Sequence, residues 1–453
     1  MPQSRLEMLK EWVWGPWLLG MMLAVGLYYT LRFRGFQICR WKLWWEGSVG
    51  GEAKKTEEAS ISPFQAACTA LAATVGTGNI AGVATALAAG GAGAIFWMWV
   101  ASFAGMMTAY AENYLGVLYR ERGKDGQYHG GPMFYIEKGM KSKALALLYA
   151  GCTVLASFGM GSMVQANSLA DTLHYTFHLP TFWCAILLTG AAGVILWGGS
   201  RRIMRVTEKL LPFSAGIYLV LAVVVVLANV RELPAVFALI VREAFRFDSI
   251  AGGALGYGIS RGVFSNEAGL GSLSILHSQS EGSSAQEQGM WGIFDVFFDT
   301  ILMCSLTAAV ILVRPEIRAV FEVRSKVGWE GLLTKALGQS LDGASLASYA
   351  ISKTVGSGGG IFIALAMVCF AFATIVGWYC LGCQAAAYLT GGRLFLYRLI
   401  YLEAIFLGCL MQLKTVWNLS DIFNGMMAVP NLLALLYLRK QVKVPLKKAK
   451  QRE

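Results

Sequence analysis

Charge is what this sequence has least of. Only 14% of its 453 residues are Asp, Glu, Lys or Arg, where an ordinary soluble domain carries about a quarter. With 56% hydrophobic residues beside that shortage, a soluble globular or a disordered chain is excluded. Histidine is scarce too: His129, His174, His178 and His277 are all there are. The sequence holds no HExxH and no phosphate-binding glycine loop, and none of the histidines clusters with Cys or carboxylates within one apolar run. A membrane-embedded enzyme therefore lacks a catalytic constellation, and the chain is expected not to be one. Nine cysteines lie mostly in apolar stretches; Cys380 and Cys383 share a CxxC spacing, without a second pair or a nearby histidine. Neither a disulfide framework nor a zinc site is expected, and no cofactor is implied.

What the chain does have is apolar runs of roughly 20 residues, each enough to cross a bilayer. The expectation is an all-α polytopic membrane protein with eleven transmembrane helices, at Trp12–Phe33, Pro63–Gly90, Ala92–Leu118, Leu145–Leu173, Thr181–Gly198, Val206–Val230, Ile250–His277, Met290–Val313, Gly359–Leu389, Leu394–Leu413 and Asn418–Leu438. The first carries Trp12, Trp14 and Trp17 at one end and no small-residue cleavage site before Arg32, so it reads as a retained span and not a signal peptide. Lysine and arginine crowd the loops 32–62, 119–143 and 199–209 and the tail 439–453, while loop 174–180 has none. By the positive-inside bias the N-terminus is outside and the C-terminus cytoplasmic in the cell membrane. Loop His277–Gly289 is expected inside yet has no Lys or Arg. The net charge of +11 sits largely in these loops and the tail, where it suits a lipid surface better than a nucleic acid.

After a first segment 1–62, ten spans divide into two fives, 63–230 and 231–438, before the basic tail. The leading span of each half is long and rich in glycine at its middle. One holds "TVGTGNIAG", Thr74–Gly82; the other holds "GGALGYGISRGVFSNEAGLG", Gly252–Gly271. Both contain N-x-A-G, at Asn79–Gly82 and Asn266–Gly269. An odd number of spans per half makes the second half run in the opposite sense, the pattern of an inverted-repeat secondary transporter. Glycine allows a helix to unwind, and an unwound stretch at membrane depth is tolerated only when buried in protein or lining a cavity. Its free N–H groups then suit a carboxylate, and its free carbonyls a hard cation. Small residues also simply let helices approach closely; their matching positions in the two halves favour broken helices.

"TVGTGNIAGVATA", with "GGPMFYIEKGM" (Gly130–Met140) and "SRGVFSNEAGLGS" (Ser260–Ser272), strongly resembles the alanine/glycine:cation symporters, also called sodium:alanine symporters. The resemblance spans nearly the whole chain. It implies one extra N-terminal helix and a LeuT-like five-plus-five inverted repeat with two discontinuous helices. The implied activity is Na⁺-coupled uptake of small neutral amino acids, with Na⁺ as coupling ion.

Laid over this sequence, the LeuT-like pattern implies that Gly76, Thr77 and Gly78 meet the substrate carboxylate. It implies carbonyls of Ala72 and Val75 facing a sodium ion, completed by the Ala371 carbonyl and the Thr374 hydroxyl in "AFAT". A second ion would draw on the Thr74 carbonyl and Asn79, though the other broken helix offers no clear threonine partner. Gln165, in "GSMVQANS", is a candidate ligand, as is Thr374; interhelical hydrogen bonding is the alternative for such amides. Trp378, one turn beyond Thr374, and Tyr257 beside Gly258 are candidate aromatic walls.

Charges within spans are functional candidates by default. Arg261 and Glu267, expected just after the second break, are six residues apart and so face different ways. Each is expected to find another helix toward the cytoplasmic side and form a gate. Asp295 and Asp299, one turn apart, suit either an ion or proton relay or pairing with arginines near the cytoplasmic end. Pairing is the commoner role. Glu112 and Asp171 lie near span ends and need no special role. In the outside segment 314–358, Trp329–Leu341 has helical apolar spacing for a cap, and Gly356–Gly360 reads as a hinge. Val236–Phe247 reads as a short amphipathic outer helix. Alanine and glycine are the expected cargo; a Na⁺-coupled serine or glutamine carrier, or a proton-coupled carrier of the same fold, stays open.

Overall fold

The computed structural model describes residues 5–50, 61–123, 126–247, 253–322, 343–356, 358–411 and 413–445. The expected cap at Trp329–Leu341 lies outside them, as does the tail from 446 onward. Almost everything described is helix.

The N-terminal span is not one rod. Helix α1, Arg5–Val13, stops at Trp14–Gly15, and α2 runs Pro16–Arg32. Pro16 starts the second helix because it has no N–H to give and holds Gly15 extended, at ψ 170°. Two short helices follow, α3 Phe36–Cys39 and α4 Trp41–Glu46. Then α5, Pro63–Thr74, begins on a reciprocal cap between Ser62 and Gln65. A 3₁₀ turn, Thr77–Asn79, leads into α6, Ala81–Gly90, and the axis bends by 57° between Pro63–Thr74 and Thr77–Gly90.

Helix α7, Gly93–Leu118, is the hub against which many others lie. The stretch 119–143, expected as loop, is structured: Glu121–Arg122 (β1) pairs antiparallel with Tyr128–His129 (β2), and α8 spans Pro132–Gly139. α9, Lys143–Ala156, and α10, Val164–Phe177, are joined by a π-helical stretch at Ser157–Met163. α11 is Thr181–Leu196 and α12 is Gly199–Ala228. Arg201, Arg202, Arg205 and Lys209 thus sit on the first turns of a helix and not in a loop. α13, Leu233–Ala244, is the amphipathic helix expected at Val236–Phe247; Leu233–Pro234 starts it early, and Phe245 and Phe247 fall beyond its end, exposed.

A second interruption follows later in the chain: α14, Ala254–Asn266, and α15, Ser272–His277, are separated by five non-helical residues. α16, Ala285–Val296, passes through a π-helical stretch, Phe297–Cys304, into α17, Ser305–Leu312. α18, Pro315–Glu322, and α19, Gly343–Val355, flank the undescribed cap segment. α20 is Gly358–Thr390, so Gly358–Gly360 is helical, and of the expected hinge only Gly356, at φ +86°, is a turn. α21, Phe395–Leu410, and α22, Leu413–Tyr437, complete the described helices.

Among the described residues six helices are long and apolar enough to cross a membrane, and the bent pair makes a seventh if taken as one span. Lipid tails supply no hydrophobic drive between helices, so close approach matters most. α2 crosses α7 at Gly26, where an added Cβ would lie 2.5 Å from the Ala104 carbonyl oxygen. Backbone cannot yield there, whereas Gly20 on the same helix has nothing within 4 Å. Gly26→Val should destabilise the fold by about 2 kcal/mol, the scale of overpacking. Gly20→Ala should not. Thermal unfolding of the purified variants in one detergent checks the contrast, and equal melting of both would contradict it.

Candidate functional site

The first break is short and fully buried. Val75 is extended (φ −73°, ψ 91°), Gly76 is extended at φ −140°, and the chain then winds into Thr77–Asn79. At membrane depth each interrupted backbone group needs a partner. The Gly76 N–H donates to Asn79 Oδ1 at 2.9 Å. Gln165 Oε1 accepts from the Thr77 hydroxyl at 2.8 Å and from the Thr77 N–H at 3.4 Å, while its Nε2 donates to the Met160 carbonyl. Gln165 reaches Thr77 from just beyond the π-helical stretch Ser157–Met163, which supplies that carbonyl.

Thr374, on α20, closes the other side. A Cβ on Gly76 would collide with Thr374 Oγ1 and stand 3.3 Å from Gln165 Oε1, so only glycine leaves this space. The Thr374 hydroxyl is buried and has no hydrogen-bond partner among the described residues. Ala371 lies one turn before it, and Ala72 and Val75 lie at the end of α5, all fully buried. α5 and α20 meet tightly here: a Cβ on Gly377 would be 3.0 Å from the Ala73 nitrogen. Gly78 faces the other half, with the Phe264 ring 3.9 Å from its Cβ position.

The second break carries three left-handed residues, Glu267 (φ 57°), Gly269 (φ 98°) and Gly271 (φ 77°). Side chains from distant helices satisfy it. Gly269 N–H donates to Glu112 Oε1 at 2.9 Å, Asn431 Nδ2 donates to the same oxygen at 2.6 Å and to the Gly269 carbonyl at 2.8 Å, and Tyr149 donates to the Leu270 carbonyl. Glu112 therefore does have a role, against expectation: it holds an unwound segment 157 residues away in sequence.

Asn79 ties the two breaks together. Its Nδ2 donates to Asp299 Oδ1 at 2.7 Å, to the Asp299 carbonyl at 3.0 Å and to Ser265 Oγ at 3.2 Å. Ser265 and Thr300 donate in turn to Asp299 Oδ2 at 2.7 and 2.8 Å. Asp299 sits in the π-helical stretch Phe297–Cys304, and no Lys or Arg pairs with it among the described residues. The expected arginine partner is thus corrected to Asn79, Ser265 and Thr300. Asp295 likewise pairs with His277, Oδ2 to Nε2 at 2.7 Å, while Gln288 Oε1 lies 2.6 Å from His277 Nδ1. Thr74 turns its hydroxyl back to the Leu71 carbonyl at 3.2 Å.

Other expectations change as well. Glu267 belongs to the second break itself and accepts from Trp378 Nε1 at 3.1 Å and from the Ser272 hydroxyl. Trp378 is fully buried against Gly161, where a Cβ would crowd its ring. Arg261 lies before the break, not after it. It pairs with Asp421 of α22 at 3.6 Å, and its guanidinium lies 5.3 Å from the centres of both the Phe264 and Trp417 rings, which stack on each other. Tyr257 is 41% exposed beside Gly90 and Gly253, one to two turns farther from the break, so it walls no buried site. Gly258 is a packing glycine, its Cβ position 2.7 Å from the Trp97 Cβ on α7. Loop 278–283 takes its positive charge from elsewhere: Arg120 donates to the carbonyls of Ser278, Ser280 and Ser283 at 3.1, 2.5 and 3.5 Å.

The interruption between α5 and α6 thus brings Gly76 and Thr77 against Gln165 of α10 and Thr374 of α20, with Gly78, Asn79, Ser265 and Asp299 close by. Glu112, Asn431 and Ser265 were missed; each is a polar side chain in an apolar run, and that was the available signal. The fold is shared with MhsT, whose structure in complex with L-phenylalanine superposes with a TM-score of 0.59 at 15% identity, covering 86% of this chain and 91% of that one. Among curated relatives, the sodium/alanine symporter AgcS of Methanococcus maripaludis is 36% identical over 96% of this chain and 94% of its own. The probable sodium/glutamine symporter GlnT of Bacillus subtilis is 34% identical over 97% and 88%. The family model of the sodium:alanine symporters matches residues 1–453. With the site's two broken helices and these full-length matches together, the chain belongs to the sodium:alanine symporter family.

Proposed function

We propose that this protein is a Na⁺-coupled symporter that imports small neutral amino acids, alanine and glycine, into the cell by alternating access. The observation that carries this reading is the buried, unpartnered Thr374 hydroxyl against Gly76. A buried hydroxyl without a partner calls for an explanation, an ion among them. Na⁺ takes oxygen ligands, and the carbonyls of Ala72, Val75 and Ala371 together with Thr374 Oγ1 are the donors available where α5 meets α20. The relatives' names give Na⁺ and alanine as cargo, with glutamine as the alternative to be tested.

In this reading the substrate carboxylate binds the amides of Gly76, Thr77 and Gly78 at the break, beside Gln165. The fold then comprises eleven spans: α1–α2 first, and two inverted sets of five at 63–230 and 231–438, led by the broken helices α5–α6 and α14–α15. The N-terminus is outside and the C-terminus cytoplasmic. A second cation would use Asn79 and the Thr74 carbonyl; the oxygen donors wanting in the sequence pattern are supplied by Ser265 and Asp299, provided the Gly76 N–H releases Asn79 Oδ1. Arg261 and Asp421, with Phe264 and Trp417, close the outer end over Gly78. Arg120 and the loop 278–283 close the inner end. Cargo and ion share α5 and its break, so each alters the other's affinity reciprocally.

Uptake of radiolabelled alanine into proteoliposomes should require an inward Na⁺ gradient. Thr374→Ala should raise the Na⁺ concentration for half-maximal uptake about tenfold, the worth of ~1.4 kcal/mol. Alanine uptake indifferent to Na⁺ would contradict the coupling, and glutamine uptake without alanine uptake would change the cargo. Gln165→Leu should raise the alanine KM by a similar factor of about ten, for the loss of one buried polar partner, leaving Na⁺ dependence intact. An unchanged alanine KM would remove Gln165 from the site.

A further inference from the structure

We propose that Lys10, on the N-terminal helix α1, is the second cation of the Arg261–Asp421 gate and sets how readily that gate opens. This rests on the outer-gate reading above. Asp421 is only 4% exposed, yet it serves two cations: Lys10 Nζ lies 3.0 Å from its Oδ2, and an Arg261 guanidinium nitrogen lies 3.6 Å from the same atom. The two cations belong to different bodies. Lys10 rides with α22, because its Nζ also donates to Asn418 Oδ1 at 3.3 Å, and Trp14 Nε1 donates to the Asp421 carbonyl at 2.7 Å. α1 and α22 also touch at Gly425, where a Cβ would strike the Val13 side chain and come 3.0 Å from Trp14 Nε1. Arg261 rides on α14, the half-helix that ends at the second break.

Opening the outer end means moving α14 away from α22, which takes Arg261 from Asp421. A buried carboxylate stripped of its only cation is strongly unfavourable. Here it is not stripped, because Lys10 stays. Neither cation makes a hydrogen bond to Asp421 Oδ2 among the described residues, and Arg261 is the more distant of the two. The carboxylate thus keeps a counter-ion in both states, and Lys10 lowers the cost of opening. Phe264, one turn from Arg261 and 3.9 Å from the Gly78 Cβ position, carries that movement to the first break.

This predicts a sign that a mere packing role for α1 would reverse. In Lys10→Gln, Arg261 becomes the one cation left on Asp421 among the described residues, so the gate should stay shut more of the time. Hydrogen–deuterium exchange of the full-length protein in Na⁺ buffer should then be slower across Ala254–Asn266 than in wild type, with Lys10→Arg restoring it. Trp14→Phe, which loosens α1 from Asp421 without touching charge, is the second variant and should also slow exchange. Arg261→Gln should speed exchange, and in Asp421→Asn, which removes the charge both cations serve, adding Lys10→Gln should change nothing further. In uptake, Lys10→Gln should raise the external Na⁺ KM about fivefold, since apparent affinity scales with the competent fraction, with maximal rate retained. Faster or unchanged exchange in Lys10→Gln would overturn the proposal. A wild-type protein that takes up no amino acid in Na⁺ would sink the transport reading instead, while the exchange comparison still decides the role of Lys10.

Discussion

Everything in this molecule depends on where broken-helix backbone finds its hydrogen bonds. Water is absent at membrane depth, so each interrupted N–H or C=O needs a protein partner or a ligand. At the second break the protein supplies nearly all of them: Glu112, Asn431 and Tyr149 reach in from three different helices. At the first break it supplies fewer. Gln165 and Asn79 engage Thr77 and Gly76, and the Thr374 hydroxyl beside them is left without a partner among the described residues. In the proposed reading, this asymmetry separates a structural break from one that binds cargo.

The two breaks are not independent. Asn79 holds Gly76 with its oxygen and Asp299 with its nitrogen, and Asp299 accepts from Ser265 on α14. Whatever re-forms the first break on binding must therefore act on Asn79, and through Asp299 on α14. That helix carries Phe264 over Gly78 and Arg261 to Asp421. A chain of contacts thus runs from the first break, the proposed cargo position, to the Arg261–Asp421 pair. The π-helical stretch Phe297–Cys304 lies along it, and the one at Ser157–Met163 holds Gln165 beside its start; such irregularities are frequent at functional sites.

Much of this was legible in the sequence. The membrane class follows from the shortage of charge, and the first break falls inside "TVGTGNIAG" because three glycines there can unwind. The family was readable from three short stretches. Helical phase was less so. The second glycine-rich segment runs from Gly252 to Gly271, and glycines at its start serve packing while those at its end serve the break. Placing the break too early put Tyr257 and Gly258 in the site and Arg261 on the wrong side of it. Long-range partners were the other gap. Nothing local tells that Glu112 meets Gly269, that Asp295 meets His277, or that Lys10 and Arg261 share Asp421, because such pairs are set by which helices pack. Gln165 and Thr374, which the structure brings beside Gly76 and Thr77, were singled out because a family pattern supplied the long-range information that spacing could not.

The central claim is that the Thr374 hydroxyl, with the carbonyls of Ala72, Val75 and Ala371, holds a sodium ion at the first break. A structure of the protein in lipid nanodiscs, loaded with Na⁺ and alanine, tests it most directly. The account predicts a peak in contact with those four oxygens, and alanine lying with its carboxylate on the amides of Thr77 and Gly78. A Thr374 hydroxyl bonded to protein alone, with ion and amino acid bound elsewhere, would contradict it.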